Sequence, residues 1–259
     1  MKKLVKDTEK RNDSPNPYAD SAACAVSASK IYGSGETEVR ALDEIEVAFP
    51  KAQFTAIMGP SGSGKSTLMH CMAGLDTLTS GQVFIGDTDL TKLGERARTL
   101  MRRDHVGFIF QAYNLVPTLT AEENIKLPLA LAGSQGDVDW IDEVIATTGL
   151  GDRLKHRPNE LSGGQQQRVA VARALASRPA IIFGDEPTGN LDTNTGADLL
   201  SFMKTTVAEM GQTIVMVTHD PISASYADRV VFLVDGKIED RLNDPTHQTI
   251  QNAIAELRT

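Results

Sequence analysis

No run of about 18 consecutive apolar residues occurs in the sequence, so no segment is expected to cross a bilayer by itself. A basic excess is missing as well: 26 lysines and arginines stand against 34 aspartates and glutamates, a net charge of -8. General nucleic-acid binders show the opposite balance, and no nucleic acid is expected as a partner. Only two cysteines occur, Cys24 and Cys71, far apart and without CxxC spacing. Neither a disulfide framework nor a zinc site is indicated, which leaves two reduced thiols. Internal repeats and low-complexity blocks are absent. The opening MKKLVKDTEKRNDSPNPYADS carries lysines with no apolar stretch behind them, unlike a secretory signal. A solvated, mobile tail is expected over residues 1–21.

What is present reads as an α/β chain, long enough at 259 residues for one large domain or a core with an inserted subdomain. From Ala25 the pattern becomes ordered, with Ile45, Val47 and Phe49 on one face of a strand closed by the turn PKAQ. Apolar strands are predicted at FTAIM, VFIG, VGFIF, AIIFG, TIVMVTH and RVVFLV. Several are continuously apolar, as strands buried on both faces of a sheet are. Between Gln111 and Ala176 helical signals take over: TAEE and SGGQ fit capping boxes, and Gly149 can close the helix DVDWIDEVIATT. A helical subdomain over about 112–176 is therefore expected inside a domain of 22–242. After a turn at VDGKI, a helical tail of 243–259 carries Ile250, Ala253, Ile254 and Leu257 at helical spacing.

GPSGSGKS, Gly59 to Ser66, has the GxxxxGK(S/T) spacing after a strand and at the head of a helix. Glycines there let backbone N–H groups turn inward on phosphates without a Cβ in the way, at the positive end of a helix. In this pattern Lys65 supplies a point charge to the β and γ phosphates, and the Ser66 hydroxyl is a magnesium ligand. AIIFGDE ends an apolar strand in two carboxylates: Asp185 can address magnesium, and Glu186 is the candidate general base that polarises a water. TIVMVTH brings His219 to the same edge of the sheet, where it can donate to the γ-phosphate.

In order, GPSGSGKST (59–67), Gln111 after VGFIF, LSGGQQQ (161–167), IIFGDEPTGNLD (181–192) and VTHD (217–220) resemble the ATP-binding cassette (ABC) transporter ATPases. The resemblance covers about residues 25–241. It implies an α/β P-loop ATPase core with an inserted helical subdomain and an N-terminal antiparallel β subdomain, and ATP and Mg2+ as cofactors. Tyr32, in KIYGSG, matches the aromatic that stacks on adenine, and Gln111 the residue that joins the magnesium and water shell. The loop residues Gly59, Pro60, Ser61, Gly62, Ser63, Gly64, Lys65, Ser66 and Thr67 would hold the phosphates. Ser162, Gly163, Gly164 and Gln165 match the signature that faces an ATP held by another subunit, and Asp192 lies at the dimer interface.

Two copies closing head to tail, with ATP between them, are thus implied. A separate integral membrane permease subunit is implied too, placing the chain peripherally on the cytoplasmic face of the membrane. The segment Gln111 to Leu127, with Tyr113, Leu115, Val116 and Leu119, is expected in the groove that holds that subunit's coupling helix. MGPSGSGKSTL, DEPTGNLD and YGSGETEVRAL look most like the MacB, LolD and FtsE-type group, which implies export of a hydrophobic molecule, peptide or lipoprotein, haem included. Gln165, Gln166 and Gln167 stand where some of that group carry charged residues. Import, or a soluble ATPase acting on nucleic acid or the ribosome, are the alternative readings. The second would need two cassettes on one chain or a long coiled coil in the helical region, and neither pattern is present.

Overall fold

In a computed structural model the described residues are 18–257. Most of the expected 1–21 tail, and the last two residues, lie outside them. Tyr18–Asp20 form a turn, and Ser21 is already buried in a strand.

Two sheets lie back to back. The first is antiparallel, in the order β2-β1-β4-β5, from β1 (Ser21–Tyr32), β2 (Val39–Pro50), β4 (Ser80–Ile85) and β5 (Thr88–Asp89). The second is built on β3 (Phe54–Met58), β6 (Val106–Phe110), β7 (Ile181–Asp185), β8 (Ile214–Val217), β9 (Arg229–Val234) and β10 (Lys237–Asn243), in the order β10-β9-β3-β8-β7-β6. Its pairs are parallel except β9 with β10, which the turn at Asp235–Gly236 joins as a hairpin.

The continuous apolar runs divide between two cores by simple alternation. Phe54, Ala56 and Met58 of β3, Ile214 and Met216 of β8, and Val230 and Phe232 of β9 face one cluster. Ile57, Val215, Val217, Val231 and Leu233 face the other, shared with the antiparallel sheet and helix α1 (Lys65–Met72). Ile45, Val47 and Phe49 join that second core, so the N-terminal sheet is roofed onto the parallel one.

The first cluster is covered by helices α3 (Ala121–Leu131), α4 (Val138–Thr148), α5 (Gly163–Leu175), α6 (Thr193–Met210) and α8 (His247–Glu256). α2 (Glu95–His105) precedes β6, and α7 (Pro221–Ala224) follows β8. The helix ends are defined by side chains. Thr120 and Glu123 form a reciprocal capping box on α3, and Ser162 and Gln165 form one on α5. Gly149 at φ 64° closes α4. α5 buries Val169, Val171, Ala172 and Leu175 completely, which anchors its first turn at the surface of the helical region. TIVMVTH proves shorter as a strand than predicted, ending at Val217, because Thr218 and His219 leave the ladder at the carboxyl edge.

Candidate functional site

The parallel strands β3, β7 and β8 end side by side, and the loops that follow them define one cleft of about 800 Å3. Gly59 leaves β3 at φ 155°, where an added Cβ would sit 1.9 Å from the carbonyl oxygen of Leu233. Gly64, at φ 102°, would meet the Ala41 carbonyl at 2.2 Å. Only glycine allows the turn and the close approach of the two sheets together. Ser63 N–H donates to the Pro60 carbonyl at 3.3 Å and Gly236 N–H to the Ser63 carbonyl at 3.0 Å, tying the loop to the β9–β10 hairpin.

Lys65 opens α1 and is almost wholly buried. Its ammonium donates to the carbonyls of Gly59 at 2.9 Å and Pro60 at 2.6 Å. Burial draws its pKa down, against the pull of the Glu186 and Asp185 carboxylates. Asp185 ends β7 and is held above its ordinary value, mainly by burial. His70, further along α1, pulls it the other way. Glu186 follows in the left-handed region at φ 46°, a conformation that costs a non-glycine residue about 1–3 kcal/mol and recurs at functional sites. Its backbone is held there by bonds from its N–H to the Val217 carbonyl at 3.0 Å and from Gly189 N–H to its own carbonyl at 2.9 Å.

The Glu186 carboxylate accepts from His219 Nδ1 at 2.8 Å. An ionised carboxylate has no hydrogen to give, so Nδ1 carries it. His219 is exposed and Glu186 largely covered, 72% and 29% of their side chains accessible. The cleft wall thus brings together Ser61, Gly62, Gly64, Lys65, Ser66, Thr67, Glu186 and His219. Val39, Arg40, Ala41 and Asp235 line it as well, and none of them stood out in the sequence. Val39, Arg40 and Ala41 all lie within YGSGETEVRAL, residues 32–42.

Gln111, Asp192, Tyr32 and the Ser162–Gln165 turn do not line this cleft. Gln111 follows β6, donates from Nε2 to Asn190 Oδ1 at 3.2 Å, and accepts on its carbonyl from Asn190 Nδ2 at 2.9 Å. Asp192 caps α6, accepting from Asn194 and Thr195 N–H at 3.1 Å and from the Thr195 hydroxyl at 2.6 Å. The Thr195 hydroxyl, and then its backbone N–H, hold that carboxyl below its ordinary value. Two further residues join these parts. Gln167, fully buried on α5, donates to the carbonyls of Phe110 at 3.3 Å and Pro187 at 2.7 Å. Arg173, two turns on, donates to the carbonyls of Asn114 at 2.5 Å and Tyr113 at 2.8 Å. Neither role is legible in the sequence, since a glutamine or arginine on a helix reads as surface.

The family described as ABC transporter matches residues 42–189. The chain belongs to the ABC transporter ATPases. The bacitracin export ATP-binding protein BceA of Halalkalibacterium halodurans is 41% identical over 87% of this chain and 90% of its own. The lipoprotein-releasing system ATP-binding protein LolD of Geobacter metallireducens is 44% identical over 81% and 94%. A dimeric, post-hydrolysis structure of the ATP-binding cassette MJ0796 of Methanocaldococcus jannaschii, bound to ADP and Pi, superposes with a TM-score of 0.75. It is 39% identical and covers 86% of this chain and 99% of that one.

As an ABC ATPase the chain binds ATP with Mg2+, hydrolyses it, and serves as the motor subunit of a membrane transporter. Its architecture is that of the family: α/β core, antiparallel N-terminal sheet, helical region. Among the described residues no helix is long and apolar enough to cross a membrane, and ABC ATP-binding subunits sit peripherally on it. The site suits a nucleoside triphosphate on its own evidence. The glycine turns leave the loop no Cβ at Gly59 or Gly64, and the buried Ser63 hydroxyl has no partner there among the described residues. No group of three or more His, Cys, Asp or Glu able to hold a metal stands among the described residues.

Proposed function

We propose that Glu186 is the general base of ATP hydrolysis and that His219 orients it and faces the γ-phosphate. The observation that carries this is the 2.8 Å contact between them at the ends of neighbouring strands, across the cleft from Lys65 and the phosphate loop. Gly59 to Thr67 hold the phosphates, with the Lys65 ammonium released from the loop carbonyls to the β and γ oxygens. Ser66, Asp185 and Gln111 would hold Mg2+, which would neutralise charge on the phosphates. Tyr32 stacks on the adenine. Replacement of Glu186 by Gln tests the base: turnover is expected to fall about 10²–10⁴-fold with ATP binding retained. Intact turnover refutes it.

The similarity to the dimeric MJ0796 cassette supports a head-to-tail homodimer in which the capped turn Ser162–Gln165 and the Asp192 cap, both outside this chain's own cleft, serve the partner's ATP. Ser162 and the amides at the head of α5 there bind charge and transfer no proton. The chain then works on the cytoplasmic face of the membrane beside a permease that exports a hydrophobic molecule, peptide or lipoprotein. Similarity to BceA and LolD supports that direction. The segment 111–127 borders an apolar groove of about 350 Å3 floored by Phe108 and Phe110, suited to a coupling helix. Cross-linking from Leu127 to the co-purified permease tests it, and absence of any adduct counts against the assignment.

A further inference from the structure

Lys30 and Tyr32 lie two residues apart at the end of β1, so strand alternation places them on one face. The Lys30 ammonium sits 4.7 Å from the centre of the Tyr32 ring. The same ammonium donates to Asp76 Oδ1 and to the Thr77 carbonyl, each at 2.7 Å. The other Asp76 oxygen accepts from the Tyr32 hydroxyl, also at 2.7 Å. One carboxylate therefore holds both the ring and the cation over it. Asp76 is itself fixed, because its N–H donates to the carbonyl of His70 on α1 at 3.2 Å and Thr77 N–H donates to Oδ1 at 2.6 Å.

We infer that the Lys30–Asp76 pair positions Tyr32, fixing the plane of its ring relative to the phosphate loop and leaving one face for a nucleobase. The inference rests on the reading of Tyr32 as the adenine-stacking residue. Three observations carry it. Lys30 is almost wholly buried while Tyr32 remains 41% exposed, so the cation closes one ring face and solvent reaches the rest. α1 is the helix that begins at Lys65, so the tether from Asp76 runs through one rigid element to the phosphate loop. The Tyr32 phenol is held above its ordinary value by burial first and the Asp76 bond second, so it stays a donor; the Thr67 side chain of the loop pulls the other way. A cation on one face also draws π density from the opposite face, which favours stacking on a purine.

Asp76 and Lys30 do not line the cleft at the phosphate loop, and this separates a positioning role from a general one. ATP and inorganic tripolyphosphate are titrated calorimetrically into the full chain and into D76N, K30M, Y32A and Y32A/D76N, with KM and kcat for ATP measured alongside. D76N and K30M are expected to weaken ATP about 3- to 10-fold, and Y32A about 10-fold or more, the weight of one stacked base. Tripolyphosphate affinity should be unchanged in D76N and K30M, whose KM should rise with kcat within about twofold, and Y32A/D76N should bind ATP no worse than Y32A. If Y32A leaves ATP affinity unchanged, the base-stacking reading fails. If Y32A weakens ATP while D76N and K30M do not, the positioning pair fails and that reading stands. Equal loss of ATP and tripolyphosphate in D76N and K30M also overturns the pair. K30M approaches the pair from its other side and decides the matter if D76N folds poorly.

Discussion

Replacing Gln167 by Leu tests whether the helix that carries the signature is stapled to the two catalytic strand ends. The Gln167 amide is buried and bridges Phe110, just before Gln111, to Pro187, just after Glu186. Leucine matches its bulk but offers no donor. The Phe110 carbonyl keeps a bond from Tyr113 N–H at 3.2 Å, so the main loss is at Pro187. Leaving that carbonyl unpaired costs about 1–3 kcal/mol. Against this, Gln167 Oε1 has no partner among the described residues, and removing it returns about 1 kcal/mol. The net is about 0–2 kcal/mol, or a drop in Tm of up to roughly 8 °C for a chain of this size. Thermal unfolding of the nucleotide-free protein reads it. Steady-state hydrolysis should fall further than the stability loss explains, because Gln111 and Glu186 lose a shared reference. A Tm within about 1 °C of the parent together with unchanged hydrolysis would refute the staple.

Three other changes follow from named contacts. In Gly164→Ala the new Cβ would sit 2.3 Å from Thr195 Cγ2, and Thr195 cannot turn away without losing its bond to Asp192. Nucleotide binding by the monomer should be nearly unchanged while dimer-dependent hydrolysis falls about tenfold or more; loss of monomer binding instead would place the signature in its own cleft. Arg173→Met removes two charge-assisted bonds from Tyr113 and Asn114, both held at positive φ (56° and 49°), so hydrogen exchange over 111–119 should quicken with β7 and β8 unaffected. Asp220 caps α7 through Ile222 and Ser223 N–H and the Ser223 hydroxyl. Burial alone would raise its carboxyl, but those bonds outweigh it and hold it below its ordinary value of 3.8. Its contribution is therefore complete above that value and lost as pH falls through the lowered one. Asp220→Ala should cost about 1 kcal/mol at pH 7 in a urea titration and progressively less below about pH 4. A cost independent of pH would rule out the carboxylate as its source.

Motifs whose chemistry depends on chain neighbours were legible from the residues alone. The phosphate loop needs glycine at fixed offsets because Gly59 and Gly64 must pass within contact distance of other backbones, and the capping boxes at Thr120 and Ser162 close over three residues. The buried strands were legible because they pack on both faces and so are apolar along nearly their whole length, with Thr55 in β3 an exception. α2 buries none of its residues and offers no apolar stripe to read. Strand order, the second core beneath the antiparallel sheet, and the meeting of Glu186 with His219 over 33 positions depended on which strands pair, a long-range outcome that no local pattern encodes. Lys30, Asp76, Gln167 and Arg173 are ordinary residues in sequence. They acquire roles only when folding removes water from around them and leaves particular carbonyls, a ring and a carboxylate as their remaining partners.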